Sequence, residues 1–490
     1  MNGRAPNILW YCTDQQRFDT IRVLGNETIQ TPNLDKMVEN GVAFKRTYCQ
    51  SPICTPSRAS FLTGRYPHTT HVHRNGNRHF PSSEIPVTKL FSDQGYKCGL
   101  IGKLHLAGAA AGQEPRTDDG YDIFEYSHHP MGPEDLVNNA YHRWLVEEKG
   151  CNPNEVCGHI DGTGVGGVLE DLHQTTWATD SAIKFIDQNT DAPWLLSVNI
   201  FDPHPPFDPP QKYLDRYPPD KMEPPVFQPS DIERQKEFAN VSAQATVAID
   251  PTKTQQEEAD RVASPTAPPK SFNGKEIKSA YYAMIELIDA QFGRLIDHLE
   301  QTGQLENTLI VFQSDHGEML GDHGLLYKGC RFFEGLVRVP LIFMWRGKFV
   351  ENVHSDALVE LVDVAPTLLD AAGFEVPNFV QGKSLLGILT GKASAKFHKD
   401  VVVCEFNDAL GSNEDPRPTH ATMSFDGRYK TIVYHGMDLG EIFDLKEDPS
   451  EFHNLWNEAA HSELRCKLVH QHLDSVMATS SAGIERAGRF

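Results

Sequence analysis

Between Ser51 and Arg65 the chain reads SPICTPSRASFLTGR, which sets Cys54 two residues before Pro56 and four before Arg58. A thiol in such a place has three chemical uses: a small buried apolar group, a metal ligand or a nucleophile. Pro56, Ser57 and Arg58 are poor core residues, which weighs against the first. Asp14-Gln15 and Asp315-His316 each follow a short apolar run. Alone, either pair reads as a helix cap or a turn. Both pairs carry oxygen or nitrogen donors of the kind a hard cation takes. Lys103 and His105 in GKLH, His204 in FDPHP and Lys328 in LLYKG stand in comparable places. A single lysine is usually a solvated surface charge, so the weight lies in the recurrence.

The elements that must position these groups are legible in the hydrophobic pattern. Asn7 to Cys12 (NILWYC) is a continuous apolar run followed by polar residues, the pattern of a strand buried on both faces. Similar runs recur at Val42 to Cys49, Cys98 to Ile101, Trp194 to Ile200, Thr308 to Phe312 and Pro340 to Trp345. Thr31 to Asn40 has a proline at a plausible first helical position, and the segment from Pro56 to about Gly64 reads as a second helix. That puts Cys54 just before a helix N-terminus, where unpaired amides favour an anion. Lys275 to Gln301 keeps Ile277, Tyr281, Met284, Ile288, Phe292, Leu295 and Leu299 on one helical face. Strands alternating with helices predict an α/β fold, a large, mostly parallel mixed sheet sandwiched by helices. In open sheets of this kind ligands bind at the carboxyl ends of the strands.

Two stretches break the rhythm, near 105–170 and 205–274, and read as long insertions over the strand ends. The main α/β domain is placed at 1–385. Residues 386–490 read as a small α+β subdomain, with strands at Val401 to Phe406, His420 to Ser424, Tyr429 to Tyr434 and Gly440 to Asp444, a turn at Asp426-Gly427, and a terminal helix from Ala459 to Ala478. These strands predict a four-stranded antiparallel sheet.

The motifs resemble those of the type I, formylglycine-dependent sulfatases of the alkaline phosphatase superfamily. C-T-P-S-R followed by A-S-F-L-T-G-R is similar to that family's signature, in which the cysteine is oxidised to formylglycine by a maturation enzyme. The resemblance implies a divalent-metal site at Asp14, Gln15, Cys54, Asp315 and His316, with Ca²⁺ favoured over Mg²⁺ or Mn²⁺. Gln15 departs from the family's more frequent second carboxylate. Gly102-Lys103-Leu104-His105 resembles the family's G-K-W-H, with leucine in place of tryptophan. By resemblance, Lys103 and Lys328 bind the sulfate while Arg58 adds fixed positive charge, His204 protonates the leaving oxygen, and His105 accepts a proton from the hydrated formylglycine so that sulfate can leave. The implied function is hydrolysis of a sulfate ester, a carbohydrate sulfate above an aryl one. Arg74, Asn75, Arg417 and His420 are candidate substrate contacts. Phosphonate monoester or phosphodiester hydrolysis through the same nucleophile is the first alternative, and a non-catalytic anion-binding member of the fold is the second.

The bulk properties bound these readings. A formal net charge of −22 argues against nucleic acid as a partner, because phosphate binding draws on clustered lysine and arginine. It leaves a local anion pocket open. Nine scattered cysteines read as reduced thiols of a cytoplasmic protein, with Cys151 and Cys157 the one closely spaced pair that could bridge. The N-terminal run is too short for a signal peptide, and no run reaches the roughly 20 apolar residues of a membrane span. The expected partners are a small sulfated substrate and the maturation enzyme, with no membrane and with homo-oligomerisation left open.

Overall fold

The computed structural model of the chain describes residues 5–109, 113–129, 138–157, 167–241, 248–253, 271–407, 419–480 and 488. Nine strands form the main sheet: β1 (Asn7–Thr13), β2 (Val42–Tyr48), β3 (Lys97–Gly102), β4 (Ile123–Tyr126), β5 (Trp194–Asn199), β6 (Thr308–Ser314), β7 (Arg338–Val339), β8 (Leu341–Met344) and β9 (Val353–Glu360). Their order is β4-β3-β5-β1-β6-β8-β2-β7, with β9 paired to β2. From β4 to β6 every pairing is parallel. Beyond β6, β8 runs antiparallel to both β6 and β2.

The continuous apolar run of β1 follows from its place at the centre of this sheet. Ile8, Trp10 and Cys12 enter one core, and Leu9 and Tyr11 enter the core on the opposite face. Successive strand residues point to opposite sides, so a strand covered on both faces has no use for alternation. Helix Gly274–Gln301 covers the second face, its start capped by the Asn273 side chain, which accepts from the amides of Lys275 and Glu276. Helix α1 (Pro32–Glu39) and helix Gln174–Gln188 pack beside it. Helix α2 (Cys54–Thr63) lies on the first face, with Phe61 tilted on Trp10 at 5.5 Å between ring centroids.

Two strands lie where the hydrophobic pattern does not announce them. β4 sits inside the stretch read as an insertion near 105–170 and pairs in parallel with β3 at the sheet edge. Its residues are mostly half-buried, as an edge strand permits, so no long apolar run marks it. β9 is polar at His354, Ser355 and Asp356, and its burial is continuous only from Ala357 onward. Within 205–274 the described residues form short helices and loops and no strand.

β10 (Val402–Asn407), β11 (His420–Phe425), β12 (Tyr429–His435) and β13 (Leu439–Asp444) form a second, antiparallel sheet in sequential order. The turn between β11 and β12 has Gly427 at φ 95°, with the amide of Tyr429 donating to Asp426 Oδ1 at 2.7 Å. This sheet shares the first core: Phe425 packs on Tyr48 at 5.4 Å, and buried Lys430 reaches Glu334 at 2.7 Å and Glu451 at 2.8 Å. All nine cysteines are free, Cys151 and Cys157 included. Among the described residues no helix is long and apolar enough to cross a membrane.

Helix Ser462–Ala478 closes the second sheet through His472, whose Nε2 and Nδ1 meet Thr422 Oγ1 at 2.7 Å and Ser424 Oγ at 2.9 Å. Burial, helped by His435, pushes His472 down to about 4. A histidine held neutral in the fold stabilises it above the unfolded value of about 6.5, and that stability is lost as the pH falls toward about 4. Urea unfolding at pH 7 and pH 4 should therefore show a loss about 3 kcal/mol smaller in His472→Gln than in the parent chain. Equal losses would mean that His472 does not resist protonation.

Candidate active site

The register of the parallel strands brings the candidate residues to one edge. Thr13 is level with Ser314 on β6, and Cys12 is level with Asn199 on β5, which is itself level with Gly102 on β3. The next residues outward are Asp14, Asp315, Ile200 and Lys103, so four adjacent strands release their loops at one height. Gly102 is required there. Its φ is 98°, Lys103 N donates to Asn199 O at 3.1 Å, and a Cβ on Gly102 would lie 2.0 Å from that oxygen. Gly317 answers the same need beside His316, where a Cβ would lie 2.0 Å from the carbonyl oxygen of Gly335.

Cys54 is the first residue of α2, a position inside the helix terminus rather than just before it. Its Sγ lies 3.0 Å from Lys328 Nζ, 3.1 Å from His316 Nε2, 3.7 Å from Asp14 Oδ1 and 3.9 Å from Lys103 Nζ. Burial pushes the thiol up and Asp14 adds to this, but Lys103, Lys328 and His316 outweigh both and hold it below the ordinary thiol range. One turn along α2, Arg58 is fully buried. Its Nε meets Asp315 Oδ2 at 2.8 Å, its Nη2 meets Asp14 Oδ2 at 3.2 Å, and its Nη1 donates to Lys103 O at 2.9 Å. Lys103 Nζ is 2.6 Å from the same Asp14 oxygen. Burial would raise the Asp14 carboxyl, and Lys103 leads the cations that hold it well below the usual range. Ser57 Oγ donates to Asp315 O at 2.6 Å and ties the helix to the β6 loop.

Ligand atoms of Asp14, Cys54, Asp315 and His316 all lie within 4.8 Å of one another, and all four residues are buried. His316 Nδ1 donates to Gly317 O at 2.9 Å, which leaves Nε2 as the nitrogen turned to the cluster. Gln15 is in a left-handed conformation with φ 70°. Its Oε1 accepts from Lys328 Nζ at 2.8 Å and its amide group donates to Glu318. Two carboxylates, an imidazole and a neutral amide oxygen fit a divalent cation of the hard or borderline class.

His105 and His204 flank this cluster. Burial and Lys103 hold His105 well below its ordinary value, and burial and Lys328 do the same to His204. His204 Nδ1 donates to Pro205 O at 2.6 Å, and its ring lies 4.7 Å from that of Phe201. Behind this loop, His173 stands between two carboxylates, with Nδ1 3.5 Å from Asp202 Oδ2 and Nε2 4.0 Å from Asp208 Oδ1. These three could also surround an ion. Each carboxylate faces a different ring nitrogen, however, so the arrangement braces the loop better than it chelates.

The proposed substrate contacts fare unevenly. Asn75 Oδ1 accepts from the Thr55 amide at 2.9 Å, which satisfies one of the free amides at the buried start of α2. Arg74 is exposed in the same loop. His420 opens β11 opposite Asn407, whose side-chain amide lies 3.2 Å from His73 Nδ1. Arg417 lies outside the described residues. Sequence reasoning missed Glu318, which grips Gln15 and accepts from the amides of Leu320 and Tyr327, and it missed Glu114 and His128 near His105. Glu318, two residues beyond the Asp-His pair, was within reach of the motif. Glu114 carries no signal in its neighbours.

Comparison with known proteins places the chain in a family and a fold. The family model described as Sulfatase matches residues 6–374, and the one described as N-sulphoglucosamine sulphohydrolase, C-terminal, matches residues 321–478. An arylsulfatase of Clostridium perfringens is 30% identical over 94% of this chain and 92% of its own length. An N-acetylglucosamine-6-O-sulfatase of Bacteroides thetaiotaomicron is 27% identical over 95% of this chain and 85% of its own. The crystal structure of a phosphonate monoester hydrolase of Agrobacterium radiobacter superposes with a TM-score of 0.80 at 24% identity, covering 97% of this chain and 96% of that one, a likeness of fold.

Arg58→Ala would strip two buried carboxylates of their shared cation. Removing one partner of a buried ion cluster costs about 3 to 5 kcal/mol, so the urea midpoint should fall markedly. A loss below about 1 kcal/mol would show that Lys103 alone neutralises the pair.

Proposed function

The chain belongs to the sulfatase family, the sulfuric ester hydrolases, and on that footing we propose that it removes sulfate from a carbohydrate through a formylglycine made from Cys54. The observation that carries this reading is the buried ring of Lys103, Lys328, His316 and Asp14 around Cys54 Sγ. The name of the glucosamine-acting relative and the description of the second family model support a sugar as the alcohol.

Charge decides what the site can hold. Lys103 and Arg58 pair with the carboxylates of Asp14 and Asp315, while Lys328 lies on Cys54 Sγ and Gln15 Oε1. A sulfate monoester brings one negative charge, which these cations balance at fixed positions with little reorganisation. A divalent cation held by Asp14, Gln15, Asp315 and His316 would polarise the sulfate, and hydrated formylglycine would supply the attacking hydroxyl and a second one for release.

The chain's own residues then divide the proton work. His105 is neutral at pH 7, because burial and Lys103 disfavour its charged form, so it is suited to accept the proton whose loss frees sulfate. His204 donates to the leaving oxygen. Burial first, and then Lys328 and Lys103, disfavour its charged form in the resting site, and the negative charge of an arriving ester works against the two cations. The Pro205 carbonyl holds Nδ1 and leaves Nε2 to carry that proton. Lys103 lies 5.3 Å from the centroid of the Phe201 ring, which limits its movement toward solvent.

Gln15 and His316 support a second reading, hydrolysis of phosphonate monoesters or phosphodiesters by the same groups, since these esters carry the same single charge on a tetrahedral centre. The two are separated by kcat/KM on matched aryl sulfate, phosphonate and phosphodiester substrates. Sulfate should lead, and a dominant phosphorus substrate would reverse the order.

Intact mass of protein coexpressed with a maturation enzyme should fall by about 18 Da, as expected when a thiol-bearing carbon becomes an aldehyde. Turnover without that change would overturn the formylglycine assignment. His204→Ala should slow sugar or alkyl sulfates about a hundredfold and nitrophenyl sulfate far less, because only poor leaving groups need the proton. Equal losses on both would reduce His204 to a binding role.

A further inference from the structure

Three consecutive backbone amides next to the site converge on one buried carboxylate. Glu114 Oε1 accepts from His105 N at 2.5 Å, and Oε2 accepts from Leu106 N at 2.6 Å and Ala107 N at 2.8 Å. Successive amides turned inward form a nest of the kind that binds free anions. Here the chain supplies the anion from nine residues away, and Glu114 is only 3% exposed. His105 adopts φ 59°, a left-handed conformation that is uncommon for a residue with a side chain and persists when its surroundings enforce it. On its other side the His105 ring meets the His128 ring edge to face at 4.5 Å. The Nδ1 atoms of both rings are buried without a hydrogen-bond partner among the described residues. The backbone nest and the His128 ring are thus the two directional contacts of His105 seen among the described residues. Gly108 N donates to Asn77 O at 2.7 Å, which ties the far end of the nest to the loop after α2.

We propose that Glu114 is the positioning residue for His105, its carboxylate locking the 105–107 backbone so that the imidazole is held at the nucleophile's side of the site. Both oxygens are needed. A glutamine keeps the shape but offers one acceptor oxygen and turns an NH₂ group toward amide donors. Burial pushes the Glu114 carboxyl up to about 7, against the three amides that lower it, so the group is held where it is costly to keep charged.

The kinetic half of the test rests on the role given to His105 above, and the spectroscopic half does not. In the unmodified Cys54 protein, labelled histidine identifies the His105 ring resonance by its absence in His105→Ala. Glu114→Ala and Glu114→Gln should both shift it, and formate at tens of millimolar should return the Glu114→Ala signal by refilling the nest. An unmoved His105 resonance in both variants, with thermal unfolding unchanged, overturns the proposal. So does a shift in Glu114→Ala that formate fails to reverse, which would mark a merely structural residue.

In the matured enzyme, Glu114→Ala should release a stoichiometric burst of nitrophenolate from nitrophenyl sulfate and then turn over about tenfold or more slowly, with formate restoring the slow phase. His105→Ala should show the same burst without rescue. A missing burst in His105→Ala would remove the assigned role of His105 while leaving the resonance to decide Glu114. A burst in His105→Ala beside unaltered turnover in Glu114→Ala would overturn Glu114 alone.

Discussion

Asp14 and Asp315 stand without solvent contact at the ends of adjacent strands, and one guanidinium lies against both. Two carboxylates in such a place are tolerable only with compensating charge, since an unpaired buried ion costs several kcal/mol. Arg58 supplies that charge at the depth where both can reach it, and its planar group meets each with a different nitrogen. The rest of the site is arranged around this constraint. Lys103 shares Asp14 Oδ2 with Arg58, Lys328 takes Gln15 and Cys54, and Ser57 ties α2 to the Asp315 backbone. The Cys54 thiol thereby sits, buried, in a field of cations.

The parallel part of the sheet makes this possible. Strands β3, β5, β1 and β6 lie side by side with their carboxyl ends level. Each ends in a loop whose first residues carry a charge or an imidazole, and the hydrophobic cores on both faces keep the register from slipping. A one-residue slip of β1 or β6 would pull Asp14 or Asp315 out of level with the loops beside it. The two glycines at the closest backbone approaches, Gly102 and Gly317, allow the loops to crowd together without moving the strands.

The legible part of the site was the part carried by short local patterns. A buried strand followed by Asp14-Gln15, another by Asp315-His316, and a helix start at Cys54 are each written within a dozen residues, and the strand ends could be placed from hydrophobicity alone. β4 and β9 were hidden because an edge strand and a half-buried strand need no continuous apolar run. Asn75 was read as facing substrate, and its side chain instead satisfies the Thr55 amide, a local geometry that no residue type announces. Glu318 and Glu114 were missed for a different reason. An acidic residue in a polar loop looks like a solvated charge until the chain folds over it.

What the sequence by itself determined is therefore the chemistry: which side chains can bind a cation, carry a proton or become a nucleophile, and which strands deliver them. The tertiary structure decided the pairings. Lys328 meets Gln15 across 313 positions, Arg58 meets Asp315 across 257, and Glu114 curls back to hold the His105 backbone. Those contacts depend on strand register and loop return, which are set by the packing of the whole core. Composition and spacing carry the residue types but not the distances between them, and at a buried site the distances determine which charges are neutralised and which remain free for substrate.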